Sequence, residues 1–304
     1  MTALETRPSA PARLEPPLTD EVPGTDPVRE TGREELILQP SGRWPTFGFG
    51  ELWKARTLVR FLAWREIKIR YAQSILGAGW AILQPVLAMT IFTVIFGRLA
   101  RMPSQGIPYP VFVLAALVPW TYFSSALVGA GNSLVGNPEL VTKVYFPRLA
   151  LPLAPIIAGL LDFCIASLLL TAVMIGYRIM PGPQIVLLLP SFLLLLVTLI
   201  GTGCWLSALN IQFRDVKHVT PFLVQLWLYA SPVVYPVSLI PAARQPLYGI
   251  NPLVSAIGGL RAALLGVEGP LPLTWLVSSV VASCILVSGI LYFRRTERVF
   301  ADVA

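Results

Sequence analysis

Few side chains in this sequence could do chemistry, and they stand far apart. The one histidine, His218, sits beside Arg214, Asp215 and Lys217. An imidazole can take or give a proton near neutral pH, but no nucleophile neighbours this one, and among charges it reads as a solvated polar side chain. Cys164, Cys204 and Cys284 fall inside apolar stretches and lack CxxC spacing, so they read as packing residues and not as a disulfide framework or metal site. No GxxxxGK[ST], GxSxG or HExxH pattern occurs, so nothing here cradles nucleotide phosphates or prepares a hydrolytic nucleophile. We therefore expect a chain that is not an enzyme by itself, with no cofactor of its own and no metal ligands. Asp162 is the one acid well inside an apolar stretch. Such a carboxylate is costly in lipid and reads either as a proton relay or substrate contact, or as a hydrogen-bonding group to a neighbouring helix, near Ser167 or backbone.

Two further sets of residues call for a role. Trp80, Trp120, Tyr122, Trp227, Tyr229 and Tyr235, with Phe123, Trp275 and Tyr292, gather near the ends of apolar stretches. They form either an interfacial belt or, for the first six, the wall of a conduit. The block from Asn137 to Arg148, NPELVTKVYFPR, interrupts two apolar stretches. Its Val144-Tyr145-Phe146 run, flanked by Lys143 and Arg148, is more than a solvated hairpin needs and reads as an anchor for a partner's pocket.

The elements that must position these residues are membrane helices. Of the 304 residues 55% are hydrophobic and 13% charged, and mean hydropathy is +0.69, too little polar surface for a soluble globule of this size. A span needs about 20 apolar residues to cross about 30 Å of hydrocarbon. Six are expected, at 76–97, 111–135, 150–176, 184–208, 219–240 and 272–293. An even count puts both ends on one side. That side would hold Lys54, Arg56, Arg60, Arg65, Lys68, Arg70, Lys143, Arg148, Arg214, Lys217, Arg294, Arg295 and Arg298, against Arg98, Arg101, Arg178, Arg244 and Arg261 opposite. The positive-inside rule then makes both termini cytoplasmic. The net charge of +7 is accounted for by this topology and by anionic headgroups, not by nucleic acid.

The flanks are read as follows. Residues 1–50, with no apolar h-region in the first 40, are expected as a disordered cytoplasmic tail, and 297–304 as a second short tail. Within 51–75, Leu52, Ala55, Leu58, Val59 and Leu62 share one helical face, predicting an amphipathic interface helix whose cations Lys54, Arg56, Arg60, Arg65, Lys68 and Arg70 meet headgroups. The alternation over Trp64–Tyr71 could mean a strand, yet a lone strand here has no pairing partner, and a helix bending into the first span is expected. Between spans five and six, the apolar run 247–265 is broken by Gly249, Pro252, Gly258 and Gly259. It is too interrupted to cross and predicts short re-entrant helices. The fold class is thus an all-α integral membrane protein.

At this point the residues resemble a known family. Trp64-Arg65-Glu66-Ile67-Lys68-Ile69-Arg70-Tyr71, then Ser74-Ile75-Leu76-Gly77, Trp80 and Leu83-Gln84-Pro85, resemble the first-span entry of permease subunits of bacterial ABC exporters for polysaccharides, the O-antigen, capsule-like and teichoic acid group. Lys143–Arg148 is similar to that family's coupling segment, Asn210–Val216 with Pro221, Gln225, Trp227, Tyr229, Ser231-Pro232 and Tyr235 to its fourth-to-fifth-span region, and Asn251-Pro252 to its outer segment. The likeness covers about 51–296. Ala78 stands where many members have Pro, and the tail before Ser41 is extra.

The resemblance implies a permease domain at 76–296, two copies of which pair with two ABC ATPase subunits that bind ATP and Mg. It would move a lipid-linked, O-antigen-like polysaccharide from the cytoplasmic side across the bacterial inner membrane. Lys143, Val144, Tyr145, Phe146, Arg148, Arg214 and Asp215 would couple to the ATPase, Asn251 and Pro252 would gate the outer mouth, and the six aromatics would let sugar rings slide. An export permease for a small amphiphile or drug is the alternative. A membrane glycosyltransferase or ligase would need carboxylates in a loop, and the acids between spans are only the scattered Glu139, Asp162, Asp215 and Glu268.

Overall fold

The computed structural model describes residues 49–72, 79–143, 146–213 and 215–297. All belong to one compact unit. The expected tails, Ser74 to Ala78 of the span entry, Val144, Tyr145, Arg214 and Arg298 lie outside the described residues, as do the side chains of Leu52 and Lys143. Regular structure among the described residues is helical throughout: α1 (Phe49–Lys54), α2 (Arg56–Tyr71), α3 (Trp80–Phe92, continued by the π-helical Thr93–Leu99), α4 (Tyr109–Asn132), α5 (Pro138–Lys143), α6 (Ala150–Gly176), α7 (Leu188–Gln212, led in by the 3₁₀ turn Pro183–Leu187), α8 (Val216–Tyr229), α9 (Gln245–Tyr248), α10 (Pro252–Leu265) and α11 (Pro272–Thr296). The helix continues through Trp64–Tyr71, where alternation alone left a strand open.

Among the described residues five helical stretches are long and apolar enough to cross a membrane: Trp80–Leu99, Tyr109–Asn132, Ala150–Gly176, Pro183–Gln212 and Pro272–Thr296. The stretch expected as a span at 219–240 is not a sixth of that length. α8 ends at Tyr229 after 14 residues, because Pro232 and Pro236 lack an N–H and push the residues before them out of the helical region. The apolar run continues through Val233 and Val234, which are buried, but only a 3₁₀ turn at Val237–Leu239 follows.

α4 is the hub. In its most apolar window 78% of residues are buried, against 6% for the Trp80–Leu99 stretch, so α3 is an outer wall with Trp80, Leu87, Ile91 and Ile95 uncovered. α7 and α11 meet at backbone distance where Gly201 faces Leu286: a Cβ on Gly201 would sit 2.7 Å from the Leu286 Cα. Small residues let helix backbones meet where no hydrophobic difference from lipid drives association.

The apolar face of α2 is covered by protein. Val59 and Leu62 join Leu134, Val141, Leu149, Leu151, Ile211 and Phe293 in one buried cluster, and α2 packs along α6. The large side chains Trp53, Phe61, Trp64 and Ile69 of this region are exposed. Between Val237 and Leu265 the chain folds as short helices, as the glycines and prolines predict. α10 is capped by Asn251 at its start and closed by Gly266 in the left-handed region at φ 67°, a conformation glycine adopts freely.

Candidate functional site

One end of the bundle gathers α5, the end of α7 and the end of α11. Tyr292 donates to Gln212 Oε1 at 3.0 Å and stacks on Trp205 with ring centres 4.3 Å apart. Asn137 leads into α5 by accepting from Arg65 of α2 while its Nδ2 donates to the Ser133 carbonyl at 2.9 Å. Phe146 is half-buried and packs on the cluster around Val59 and Phe293. Arg148 turns inward: its guanidinium donates to the Glu297 carbonyl and to the Val141 carbonyl at 3.3 Å, and the Glu297 carboxylate reaches Arg294 at 3.2 Å. The guanidinium expected to face a partner therefore ties the block to the end of α11. Asp215, Lys217 and His218 are exposed at the start of α8, and the exposed His218 fits the solvated reading.

A second constellation lies partway along the helices. Asp162 is 12 residues into α6, about 18 Å from its first residue at 1.5 Å per residue. Among the described residues its partners are on the neighbouring helix α2 and are not Ser167 or backbone. Arg70 forms an ion pair with one carboxylate oxygen and the Tyr71 hydroxyl donates to the other. Partial burial, followed by the hydrogen bond to Asp162 and its charge, pushes the Tyr71 phenol up to about 12, so it stays a donor at physiological pH. These three residues line a cavity of about 460 Å³ with Trp80, Gln84 and Pro85 of α3, Thr121, Tyr122, Ser124 and Ser125 of α4, and Phe163 of α6.

At the opposite end, Asn251 joins α8 to α10. Its Oδ1 accepts from Leu253 N at 3.2 Å and from the Trp227 indole at 3.0 Å, and its Nδ2 donates to the Ala230 carbonyl at 2.9 Å. Pro252 starts α10, where its missing N–H needs no partner. Arg261 of α10, 2% exposed, donates to the carbonyls of Pro232 at 2.7 Å, Val233 at 2.8 Å and Tyr235 at 3.2 Å and lies 3.9 Å from the Phe112 ring centre. Reading Arg261 only as a loop cation missed this; a lone guanidinium in the apolar run Leu253–Leu265 was the available signal.

The six aromatics proposed for a conduit do not converge on one surface. Trp120 and Tyr122 are packed in the core around α4, and Tyr122 donates to the Ile156 carbonyl at 3.1 Å. Trp227 meets Phe123 edge-on at 5.3 Å, and Tyr235 is held by the Tyr229 carbonyl at 3.0 Å and the Tyr248 hydroxyl at 2.7 Å. Trp80 and Tyr229 are exposed, at 51% and 56%. Of the interface cations, Lys54, Arg56, Arg60 and Lys68 are exposed, with Arg56 over the Trp53 ring, whereas Arg65 and Arg70 are engaged by Asn137 and Asp162. Among the described residues no cluster of His, Cys, Asp or Glu could hold a metal.

Residues 57–265 of this chain match a family model described as ABC-2 type transporter. The chain belongs to that family. This ABC-2 type transporter chain is 34% identical over 215 residues to the O-antigen export system permease protein RfbA of Myxococcus xanthus, covering 70% of this chain and 82% of that one. It is 27% identical to RfbA of Klebsiella pneumoniae, over 79% of this chain and 92% of that protein. Identity to the polysialic acid transport protein KpsM of Escherichia coli is 27%, over 69% and 82%. The family match spans α2 to α10, so both the Arg70–Asp162 pair and the Asn251 junction fall within it.

Proposed function

We propose that this ABC-2 type transporter is the permease subunit of an ATP-driven exporter that moves a lipid-linked, O-antigen-like polysaccharide from the cytoplasmic side across the bacterial inner membrane. The observation that carries this reading is its 34% identity, over 82% of the relative, to a permease named for O-antigen export. Energy enters through a separate ABC ATPase, two copies of which bind ATP and Mg and close on each other. The absence of a phosphate-cradling motif in this sequence fits that division of labour.

The chain crosses the membrane six times in this reading, with α8 and the irregular Ala230–Tyr235 making the fifth crossing. α8 starts at the end that holds Gln212 and Tyr292, and the segment after it is held by Asn251 and Arg261 at the other end. Both termini then lie in the cytoplasm, the side enriched in Lys and Arg. A second copy covers the open face of α3 and the exposed Phe222, Leu223, Leu226 and Tyr229 of α8, and the polysaccharide passes between the copies. α5 with the residues up to Arg148, and the α7–α8 link at Arg214–Asp215, receive the ATPase, and closure is transmitted as rigid-body helix movement. Asn251 and Pro252 hold the outer gate.

The test is the double variant Tyr145→Ala with Phe146→Ala. Copurification of the ATPase should fall, or its turnover should uncouple from appearance of glycan at the cell surface. Normal assembly together with normal export would defeat the coupling assignment.

A further inference from the structure

We infer that the cavity between α2, α3, α4 and α6 is a subsite for a neutral sugar unit of the exported glycan, built within a single protomer; this rests on the polysaccharide reading above. The cavity holds about 460 Å³, inside the range of roughly 300–1,000 Å³ usual for small-molecule sites. It takes a short stretch of glycan and not the polymer.

Its lining is largely apolar, with polar side chains from all four helices set into it. Gln84 of α3 and Ser125 of α4 line it and are exposed, and Asp162 is about 18 Å along α6 by helical rise. Polar side chains at such depth face water or a polar ligand, not lipid.

Charge selects among polar ligands. Arg70 and Asp162 neutralise each other, so a diphosphate would meet the carboxylate as well as the guanidinium and lose by repulsion much of what it gains. A polyol meets no such conflict. It can donate to the Asp162 oxygens and accept from the Gln84 amide and the remaining Arg70 N–H groups, each of them planar and able to engage neighbouring hydroxyls. Thr121 donates its own proton to the Val118 carbonyl at 3.0 Å and Ser125 to the Tyr122 carbonyl at 3.3 Å, leaving their oxygens as acceptors. Trp80, half exposed at the cavity edge, offers an apolar face for the C–H side of a sugar ring. A planar fork, hydroxyl acceptors and one aromatic face together recognise a neutral pyranose better than an ion or an acyl chain.

The experiment places a cysteine at Ser125 in a full-length chain whose Cys164 and Cys284 are replaced by serine, with the ATPase present, in inverted membrane vesicles. A charged methanethiosulfonate reports its accessibility. Phosphate-free neutral oligosaccharides, released by mild acid from the producing strain's surface glycan, are the probe. At ten times their Kd they should slow labelling about tenfold by simple occupancy, inorganic pyrophosphate should not, and Gln84→Ala should remove the slowing. Thr121→Cys serves as a second reporter, with the same outcomes expected.

A reporter that never labels, or slowing by pyrophosphate alone, overturns the inference. No slowing by the sugar in vesicles that export glycan overturns the subsite and leaves the exporter reading standing. No slowing in vesicles that also export none overturns both.

Discussion

Arg70 at the end of α2 and Asp162 in the middle of α6 are 92 residues apart in sequence and form an ion pair. With Tyr71 on the other carboxylate oxygen, the pair pins the last turn of α2 to α6, so a push on α2 is felt at mid-helix and not only at the bundle's end. Removing one partner leaves the other partly buried without its counter-charge. Asp162→Asn should cost about 1–3 kcal/mol, toward the lower figure because both side chains keep some solvent contact. Thermal unfolding of the detergent-purified chain measures it. Arg70→Gln combined with Asp162→Asn should cost less than the two single changes added together; additive costs would mean the pair contributes no coupling.

Arg148 bridges two carbonyls, on α5 and at the end of α11. A fork with fixed geometry can do this and a single ammonium cannot. Arg148→Lys should therefore behave nearly like Arg148→Ala: binding of the ATPase is retained, export per ATP hydrolysed falls several-fold, and the Tm drops as for about 1–2 kcal/mol of lost hydrogen bonding. Full coupling in Arg148→Lys would show that the positive charge alone matters.

Much of the fold was legible because its signals are local. α6 begins and ends where the apolar run at 150–176 does, and the capping signals Asn251 and Gly266 bound α10. The stretch 219–240 is helical only as far as Tyr229, because hydropathy continues through Val233 and Val234 while Pro232 and Pro236 end the helix; composition shows the apolar run and backbone chemistry sets where the helix stops. The site was less legible because its partnerships are long-range. Nothing in spacing tells that Asp162 meets Arg70 and Tyr71, that Arg148 points inward, or that Trp120 faces α4's packed side while Trp80 stays open. Aromatic placement near helix ends is satisfied equally by a belt and by a core, and only the rotation of each helix separates them.

Arg261 should be intolerant of substitution. It holds three carbonyls freed where α8 breaks, and its plane rests on Phe112. Arg261→Ala leaves those acceptors buried and unpaired, at about 1–3 kcal/mol for the first unsatisfied group alone, and Arg261→Lys can reach only part of them. Both variants should raise the protease sensitivity of the segment between α8 and α10 well before global unfolding. Equal protease resistance to the unmodified chain would assign the guanidinium no role in fixing that segment.

The same substitution should have opposite signs at two glycines. At Gly201 a Cβ would sit 2.7 Å from both the backbone N and Cα of Leu286, and no side-chain rotation can relieve a clash with backbone. Gly201→Ala must move α7 away from α11, breaking contacts along the interface, and should cost at least the roughly 1–3 kcal/mol typical of overpacking. Gly176, at the end of α6, would place its Cβ in open space. There the reduced freedom of the unfolded chain prevails, and Gly176→Ala should be neutral or stabilising by up to about 1 kcal/mol. Melting curves of the two purified variants, compared with the unmodified chain, decide the matter. Equal tolerance at both positions would mean that α7 and α11 do not meet at backbone distance.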